Sequence, residues 1–268
     1  MARHNPLILI GLAVVVIWIT AAVFAPQAAP YTPLEQNVSA RLQPPGQLYP
    51  WGTDELGRDI YSRVLYGGRI TIPAGVLVIV IGSVIGTIIG AVAGFVGGIW
   101  DEIIMRLTEL FMAFPTIILA MAITAALGAD IRNAVIALVI VWWPSYARIV
   151  RGLVLSVKRK EFVEAASCIG APRFYILTRT VLPNCIAPAF VMMTLDIGSA
   201  ILTFAGLSFL GLGPEPTSPE WGRMVAVGID YFDQWRTWLF PGMAIATLVI
   251  AFNFIGDSLR DILDPRMR

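Results

Sequence analysis

The sequence predicts an all-α integral membrane protein with six transmembrane helices. Apolar residues make up 57% of the 268-residue chain and charged residues only 14%, whereas about a quarter of the residues in a soluble domain are charged. The apolar residues form long uncharged runs, which are typical of membrane helices rather than β-barrel strands. The basic residues are scattered along the chain, which predicts a lipid bilayer as surroundings and no nucleic acid as partner.

Uncharged runs place the spans, each near the roughly 20 residues that cross a bilayer. They are Leu7 to Ala25, the run between Arg69 and Asp101, Leu110 to Ala129, Asn133 to Ile149, Val181 to Phe209, and Leu239 to Ile255. The alternative for the first is a cleaved signal peptide, which its basic start allows. The run is long for a signal core, and Pro26 would follow the cut directly, so a retained helix is favoured.

The distribution of Lys and Arg predicts which side each loop faces. Six spans put both termini on one side. With both termini inside, the inner segments hold twelve Lys and Arg residues and the outer segments seven. Because positive residues favour the cytoplasmic side, we expect both termini, and the polar loop from Lys158 to Asn184, to be cytoplasmic.

The chain divides into three parts along its length. Residues 1–27 hold the tail and first span, residues 28–69 an outer segment, and residues 70–268 a five-helix core whose polar loop covers about 156–184. In the outer segment, Thr53 is expected to cap an amphipathic helix lying on the outer surface, with Asp54 and Glu55 in its first turn. The helix is predicted from apolar residues at every fourth position and one charged pair, which are Leu56, Ile60, Val64, and Asp59 with Arg63.

Small residues in the second span predict a tight helix contact. Glycine recurs every four residues at Gly82, Gly86, Gly90, Gly94 and Gly98. Helices in lipid gain little from hydrophobicity against one another, so close approach along a small-residue seam stabilises their packing. Packing within the chain is favoured over an interface between subunits.

The fifth span contains the only acid placed well inside a predicted span, Asp196. A charge there is costly and is expected to face a cavity or a partner. A hydrogen bond to a neighbouring helix is favoured over proton coupling. Met192 and Met193, one turn earlier, are further candidates to line a pathway. Glycines in the stretch Ala205 to Gly213 predict that this helix ends near the outer face.

The polar loop is predicted to contain a short helix from Glu161 to Ile169. Phe162, Ala166 and Ile169 are expected on one face. Gly170 suits a left-handed C-terminal cap, after which Pro172 can open a second helix. Such a loop is either a docking element for another protein or an interfacial helix.

The sequence gives little evidence for a metal site or a catalytic site. Cys168 and Cys185 are not spaced as a metal pair, and His4, the single histidine, falls in the tail. The serines of the spans have no membrane histidine to activate them. The only lysines are Lys158 and Lys160, and no phosphate-binding Gly-x4-Gly-Lys loop exists. We therefore expect no enzyme and no cofactor bound by this chain.

Several stretches resemble the permease subunits of ABC importers. Glu164-Ala165-Ala166, followed by Gly170 and by Leu182-Pro183, is similar to their EAA loop, with one departure at Thr180, where the family has Ile. Trp51 to Asp59, Ala205 to Gly213, Pro219 to Gly222 and Gly256 to Arg266 resemble the dipeptide, oligopeptide and nickel group, in its C-type subunit. The resemblance covers nearly the whole chain.

This resemblance implies a type I importer permease fold in a bacterial inner membrane. It implies that the EAA loop docks on a separate cytoplasmic ATPase, and that ATP and Mg are held by one or two such subunits. The residues it assigns to coupling are Phe162, Glu164, Ala165, Ala166, Ile169, Gly170 and Arg173. It also implies a B-type permease partner and an extracytoplasmic substrate-binding protein.

The cargo that the resemblance implies is a di- or oligopeptide. The alternatives are glutathione and a nickel chelate, which the same group handles. A different class, an ion-coupled secondary transporter with Asp196 as its coupling acid, is disfavoured because the chain has no evident internal repeat and few buried charges.

Overall fold

The computed structural model describes residues 6–263, and these residues form helices joined by loops. In chain order the helices are α1 (Pro6–Val23), α2 (Ala25–Ala28), α3 (Ile60–Val96), α4 (Gly98–Met112), α5 (Thr116–Leu127), α6 (Ile131–Val157), α7 (Glu161–Cys168), α8 (Arg173–Tyr175), α9 (Leu182–Phe209), α10 (Trp221–Ile229) and α11 (Arg236–Leu263). A π-helical stretch, Ile176–Val181, joins α8 to α9. Arg3, His4, Arg266 and Arg268, used above for the tail and the charge count, lie outside the described residues.

The all-α membrane class predicted from the sequence is confirmed. Five helices are long and apolar enough to cross a membrane, and a bent pair, α4 with α5, brings the number to six if it counts as one span. Several helices extend well beyond the apolar runs that predicted them. For example, α3 has 37 residues, or about 55 Å at roughly 1.5 Å per residue, which exceeds the hydrocarbon thickness of about 30 Å.

The third span differs from the single helix predicted for Leu110 to Ala129. Helix α4 ends at Met112, α5 begins at Thr116, and the two are bent by 89°. Pro115 precedes α5 in an extended conformation, and a proline disfavours helical backbone at the residue before it. The 12 residues of α5 are too few to cross a bilayer, and the amphipathic α4 carries Glu109, the charge that bounded the predicted run on its N-terminal side.

The prediction that an outer amphipathic helix begins at Thr53 is wrong. Residues 53–59 form a turn in which the Asp54 side chain accepts from the backbone N–H groups of Leu56 and Arg58, each at 2.9 Å. The helix begins at Ile60, with Asp59 capping it through Ser62 N at 2.8 Å. It then continues through residue 69 into the second span. Aspartate side chains that bond their own backbone favour turns over helix interiors, which explains the later start.

The predicted pairing of Asp59 with Arg63 is also replaced. The Arg63 guanidinium approaches Asp54 at 3.4 Å and donates to the carbonyl oxygens of Thr217 at 3.2 Å and Ser218 at 3.0 Å. Arg58 pairs with Asp54 at 2.7 Å. Both arginines are buried. They tie the segment before α3 to the loop before α10, so the two outer segments form one cap over the helices.

The cap is fixed to the helices by Glu220 and Trp221. Glu220 accepts from Thr71 Oγ1 at 2.9 Å and caps α10 through Arg223 N at 2.8 Å. The indole of Trp221 donates to Val64 O at 2.8 Å and packs edge-on against Trp18 of α1. Helix α1 therefore contacts the cap through Trp18, while most of its apolar residues are exposed.

Candidate functional site

Helix α7 is the centre of the candidate site. It has acidic residues, Glu161 and Glu164, in its first turn, where negative charge interacts favourably with the helix dipole. Its C-terminal end is closed by Gly170, whose φ is +80°. Gly170 N donates to Ser167 O at 3.0 Å and Ala171 N to Ala166 O at 3.2 Å. This is the Schellman arrangement, which satisfies the last carbonyls and turns the chain sharply.

One side of α7 is anchored and the opposite side is free. Val163 is only 4% exposed and packs in a cluster with residues of α6 and the π-helical stretch. Phe162 is 47% exposed and Ile169 85% exposed, and Glu164 and Ala165 are also exposed. Ala166, predicted on one face with Phe162 and Ile169, is half-buried against the Val163 cluster at the edge of that face. The free face consists of Phe162, Ala165 and Ile169.

A groove lies beside α7, on the side of Val163, Glu164 and Ser167. It has a volume of about 480 Å³ and runs between α7, α8 and the end of α3. Glu164 and Arg173, on its walls, bring charges of opposite sign to the same opening. Phe174, another lining residue, is 77% exposed. An exposed aromatic beside a charged, half-open groove is typical of a surface that binds another protein.

Lys158 attaches the start of this loop to the transmembrane helices. Its Nζ donates to the carbonyl oxygen of Phe95 at 2.6 Å and lies 5.3 Å from the Phe95 ring centre. Phe95 O is among the last carbonyls of α3, which have no partner within the helix and accept readily from a lysine. This bond ties the C-terminal end of α6, where the loop begins, to the end of α3.

Helix α3 is in turn packed closely on α6, the helix that leads to α7. A Cβ built at Gly86 would lie 2.4 Å from Trp143 O, and one at Gly90 2.2 Å from Ala147 O. Gly82 and Gly94 also face α6. Gly98 does not belong to this seam: it starts α4, has a φ of +63° and has no atoms within 4 Å of a built Cβ. The seam ends because α3 ends at Val96.

An ion pair joins α6 to α4. The guanidinium of Arg151 on α6 donates to both carboxylate oxygens of Asp101, at 2.5 and 2.6 Å. Two parallel charge-assisted hydrogen bonds fix both distance and orientation. Helices α3, α4 and α6 thus meet beside the loop that carries α7.

Asp196 lies between α9 and α6. Its Oδ2 accepts from Tyr146 Oη at 2.7 Å and from Trp142 Nε1 at 3.4 Å. Met192 and Met193, one turn earlier, are partly buried and pack against the same cluster as Trp142 and Tyr146. The structure therefore brings these three sequence candidates together, but places them far along α9 from the α7 site.

The remaining candidates form no second site. Cys168 is exposed at the end of α7 and Cys185 is buried in α9, and both are free thiols. Among residues 6–263, no group of three or more His, Cys, Asp or Glu side chains is arranged to hold a metal ion.

Sequence reasoning missed Val163, Lys158 and the pair of Asp101 with Arg151. Val163 was detectable, because the face opposite an exposed docking surface needs an apolar anchor. The other contacts join residues 50 or more positions apart, and such pairs leave no periodic signal in one sequence. Trp142 and Tyr146 gave a partial signal, since they are one turn apart on one helix.

Two family comparisons cover most of the chain. Residues 86–268 match the family described as binding-protein-dependent transport system inner membrane component. Residues 2–45 match the N-terminal transmembrane domain of oligopeptide transport permease C. The first match contains α7, the groove and Asp196.

Individual relatives align over nearly the full length. A probable D,D-dipeptide transport system permease protein of Escherichia coli K12 is 42% identical over 99% of this chain and 90% of its own. A dipeptide transport system permease protein of Alkalihalophilus pseudofirmus is 41% identical over 99% of this chain and 88% of its own. A glutathione transport system permease protein of an Escherichia coli O6 strain is 44% identical over 95% of this chain and 84% of its own.

Proposed function

The chain belongs to the family of binding-protein-dependent transport system inner membrane components, and from that premise we propose that it is one permease subunit of an ATP-driven peptide importer. It forms half of a translocation pathway and takes its motion from a separate ATPase through α7. The observation that carries the proposal is the two-sided character of α7. One side is anchored by Val163, which is 4% exposed, and the other presents Ile169, which is 85% exposed.

The coupling residues have distinct roles in this proposal. Phe162, Ala165 and Ile169 enter a groove of the ATPase, Glu164 and Arg173 provide charges at its rim, and Ala166 keeps α7 close to its support. Gly170 sets the turn, because its φ of +80° is a conformation that other residues adopt only with strain. Lys158 then transmits the movement of α7 to α3 through Phe95 O.

Peptides are the proposed cargo. Relatives of 41% and 42% identity are named for dipeptides, and one of 44% identity is named for glutathione, which is itself a short peptide. Peptide transport is therefore the property these names share. The nickel chelate has no comparable support among them.

The proposed assembly contains a B-type permease, one or two cytoplasmic ATPase subunits that hold ATP and Mg, and an extracytoplasmic substrate-binding protein. This chain contributes no catalysis and no nucleotide site, since it contains no Gly-x4-Gly-Lys loop. Both termini and α7 face the cytoplasm, where twelve of the Lys and Arg residues are then found. ATP binding draws the ATPases together, and the permeases rock between inward-open and outward-open states.

The test is to express the chain with its genomic neighbours and to measure ATPase co-purification and hydrolysis. Gly170→Val and Glu164→Lys are expected to insert normally but to lose the ATPase or its stimulation. Cys168→Ser, at an exposed position of α7 outside the free face, serves as the matched control and should behave as native. If no ATPase associates with the native chain, α7 is only an interfacial helix and the ion-coupled alternative, with Asp196 as coupling acid, takes its place.

A further inference from the structure

Beyond coupling, we propose that Asp196, with Trp142 and Tyr146, binds the terminal ammonium group of a peptide in transit. The inference rests on the proposed function, because it requires that a peptide pass this level of the membrane. It assigns a cargo-recognition point to a group of residues that α7 and its attachments do not use.

Half of the Asp196 carboxylate is fixed and half is free. Oδ2 accepts from Tyr146 Oη at 2.7 Å and from Trp142 Nε1 at 3.4 Å. No described residue donates a hydrogen bond to Oδ1. Tyr146 is fully buried, so its hydroxyl is committed to this contact and holds the carboxylate in one orientation. A fixed carboxylate with one open oxygen is a preorganised acceptor.

The carboxylate lies near the middle of α9, a helix long and apolar enough to cross a membrane. Asp196 comes 14 residues after Leu182 and 13 before Phe209, the ends of α9, so it is about 20 Å from either end at roughly 1.5 Å per residue. The Asp196 residue is only partly covered by the rest of the chain. An acid facing hydrocarbon at this depth is strongly unfavourable, and membrane-embedded acids accordingly face water-filled cavities or partners. In the proposed site the open side of Asp196 faces the aqueous pathway.

The chemistry of the site selects a compact cation. No ion pair between described residues involves Asp196: the nearest donors are a phenol and an indole. An ammonium group would supply the missing positive charge and a donor for Oδ1. Every peptide with an unmodified amino terminus carries this group, so the site suits a transporter that accepts varied side chains.

The experiment uses the complete importer in proteoliposomes. The probes are labelled Ala-Ala and lactoyl-alanine, in which a hydroxyl replaces the terminal ammonium, each at a concentration that saturates the binding protein in a prior titration. The variants are Asp196→Asn, which keeps the acceptor for Tyr146 but removes the charge, and Asp196→Glu, which keeps the charge. Thr194→Val is the matched control, because Thr194 is buried on the same helix and donates only to Phe190 O at 3.0 Å.

For the native importer we expect Ala-Ala to be transported about tenfold faster than lactoyl-alanine, the ratio that follows from one hydrogen bond to a charged group. Asp196→Asn should bring the two rates together, Asp196→Glu should keep most of the preference, and Thr194→Val should leave it unchanged. Equal preference in the native and Asp196→Asn importers would overturn the inference. Failure of native ATP-driven Ala-Ala uptake would instead contradict the proposed function.

A second measurement addresses the accessibility of position 196. In a background with Cys168→Ser and Cys185→Ala, Asp196→Cys should react with a trimethylammonium methanethiosulfonate in the assembled importer. Because Asp196→Cys removes the carboxylate, this measurement tests only whether position 196 is open to the pathway, and no protection by Ala-Ala is expected. A thiol that does not react would show that position 196 is closed to the pathway and would overturn the inference.

Discussion

Substitution of Gly90 by alanine should weaken the packing of α3 on α6. The built Cβ lies 2.2 Å from Ala147 O, whereas ordinary van der Waals contact begins at 3.4 Å. The helices must therefore separate by 3.4 − 2.2 = 1.2 Å at this point. The close neighbours are backbone atoms of α6, so no side-chain rotation can relieve the contact.

The size of the effect follows from two opposing contributions. Overpacking costs about 1–3 kcal/mol, while alanine is better than glycine inside a helix by about 1 kcal/mol. Gly152 on α6 isolates the second contribution, because a Cβ built there has no atom within 4 Å. The difference between the two variants is then the overpacking cost, about 2 kcal/mol, or about 6 °C in Tm at roughly 3 °C per kcal/mol.

The assay is thermal unfolding of the detergent-solubilised protein, followed by the fluorescence of its 8 tryptophans. Gly152→Ala should melt at or slightly above the native Tm. Gly90→Ala should melt several degrees below it. If Gly90→Ala is as stable as Gly152→Ala, the close approach of the two helices at Ala147 is wrong.

Three further predictions concern single contacts. Arg151→Met should lower the Tm by about 3 °C, because a partly exposed charge-assisted pair is worth about 1 kcal/mol, and exchanging the partners (Asp101→Arg with Arg151→Asp) should recover part of it in a double-mutant cycle. Burial raises the pKa of Glu220 above its ordinary value, so the folded state binds this proton more tightly than the unfolded state does. The Tm of the native protein, measured relative to that of Glu220→Gln, should therefore rise as the pH falls from about 8 toward the ordinary carboxyl pKa of about 4.3. A Tm difference that does not change with pH would contradict the burial of Glu220. Lys158→Met should reduce ATP-driven uptake without releasing the ATPase, since the loop that carries α7 then loses its bond to Phe95 O. Lys160→Met, whose side chain makes no capping bond to α7, should transport normally.

The membrane class and the positions of most helices were predictable from the sequence, because a segment surrounded by lipid needs a long uncharged run. It was less informative where local bonding overrides periodicity. Leu56, Ile60 and Val64 have helical spacing, yet the side chain of Asp54 closes a turn over Leu56 and Arg58 and delays the helix to Ile60. In the third span, the apolar composition continues across Pro115 and predicted one helix. The helical backbone is instead interrupted there, between α4 and α5.

The candidate site was predictable in outline and not in its attachments. The acidic first turn of α7 and the glycine cap are local signals, so the helix and its end at Gly170 followed from the sequence. Which residues of α7 are free depends on the helices beneath it, and the partial burial of Ala166 beside Val163 depends on those distant helices. The bonds of Lys158 to Phe95 O and of Arg151 to Asp101 likewise join distant parts of the chain, and no single sequence records such contacts.

The central claim is that ATP hydrolysed by a partner drives cargo through this chain by way of α7. The most direct measurement is uptake of labelled Ala-Ala into proteoliposomes that contain the complete importer, with ATP supplied on the α7 side. Uptake should require ATP, persist when an uncoupler collapses ion gradients, and be lost in Gly170→Val. Uptake that continues without ATP and stops with the uncoupler would contradict the account and indicate an ion-coupled transporter.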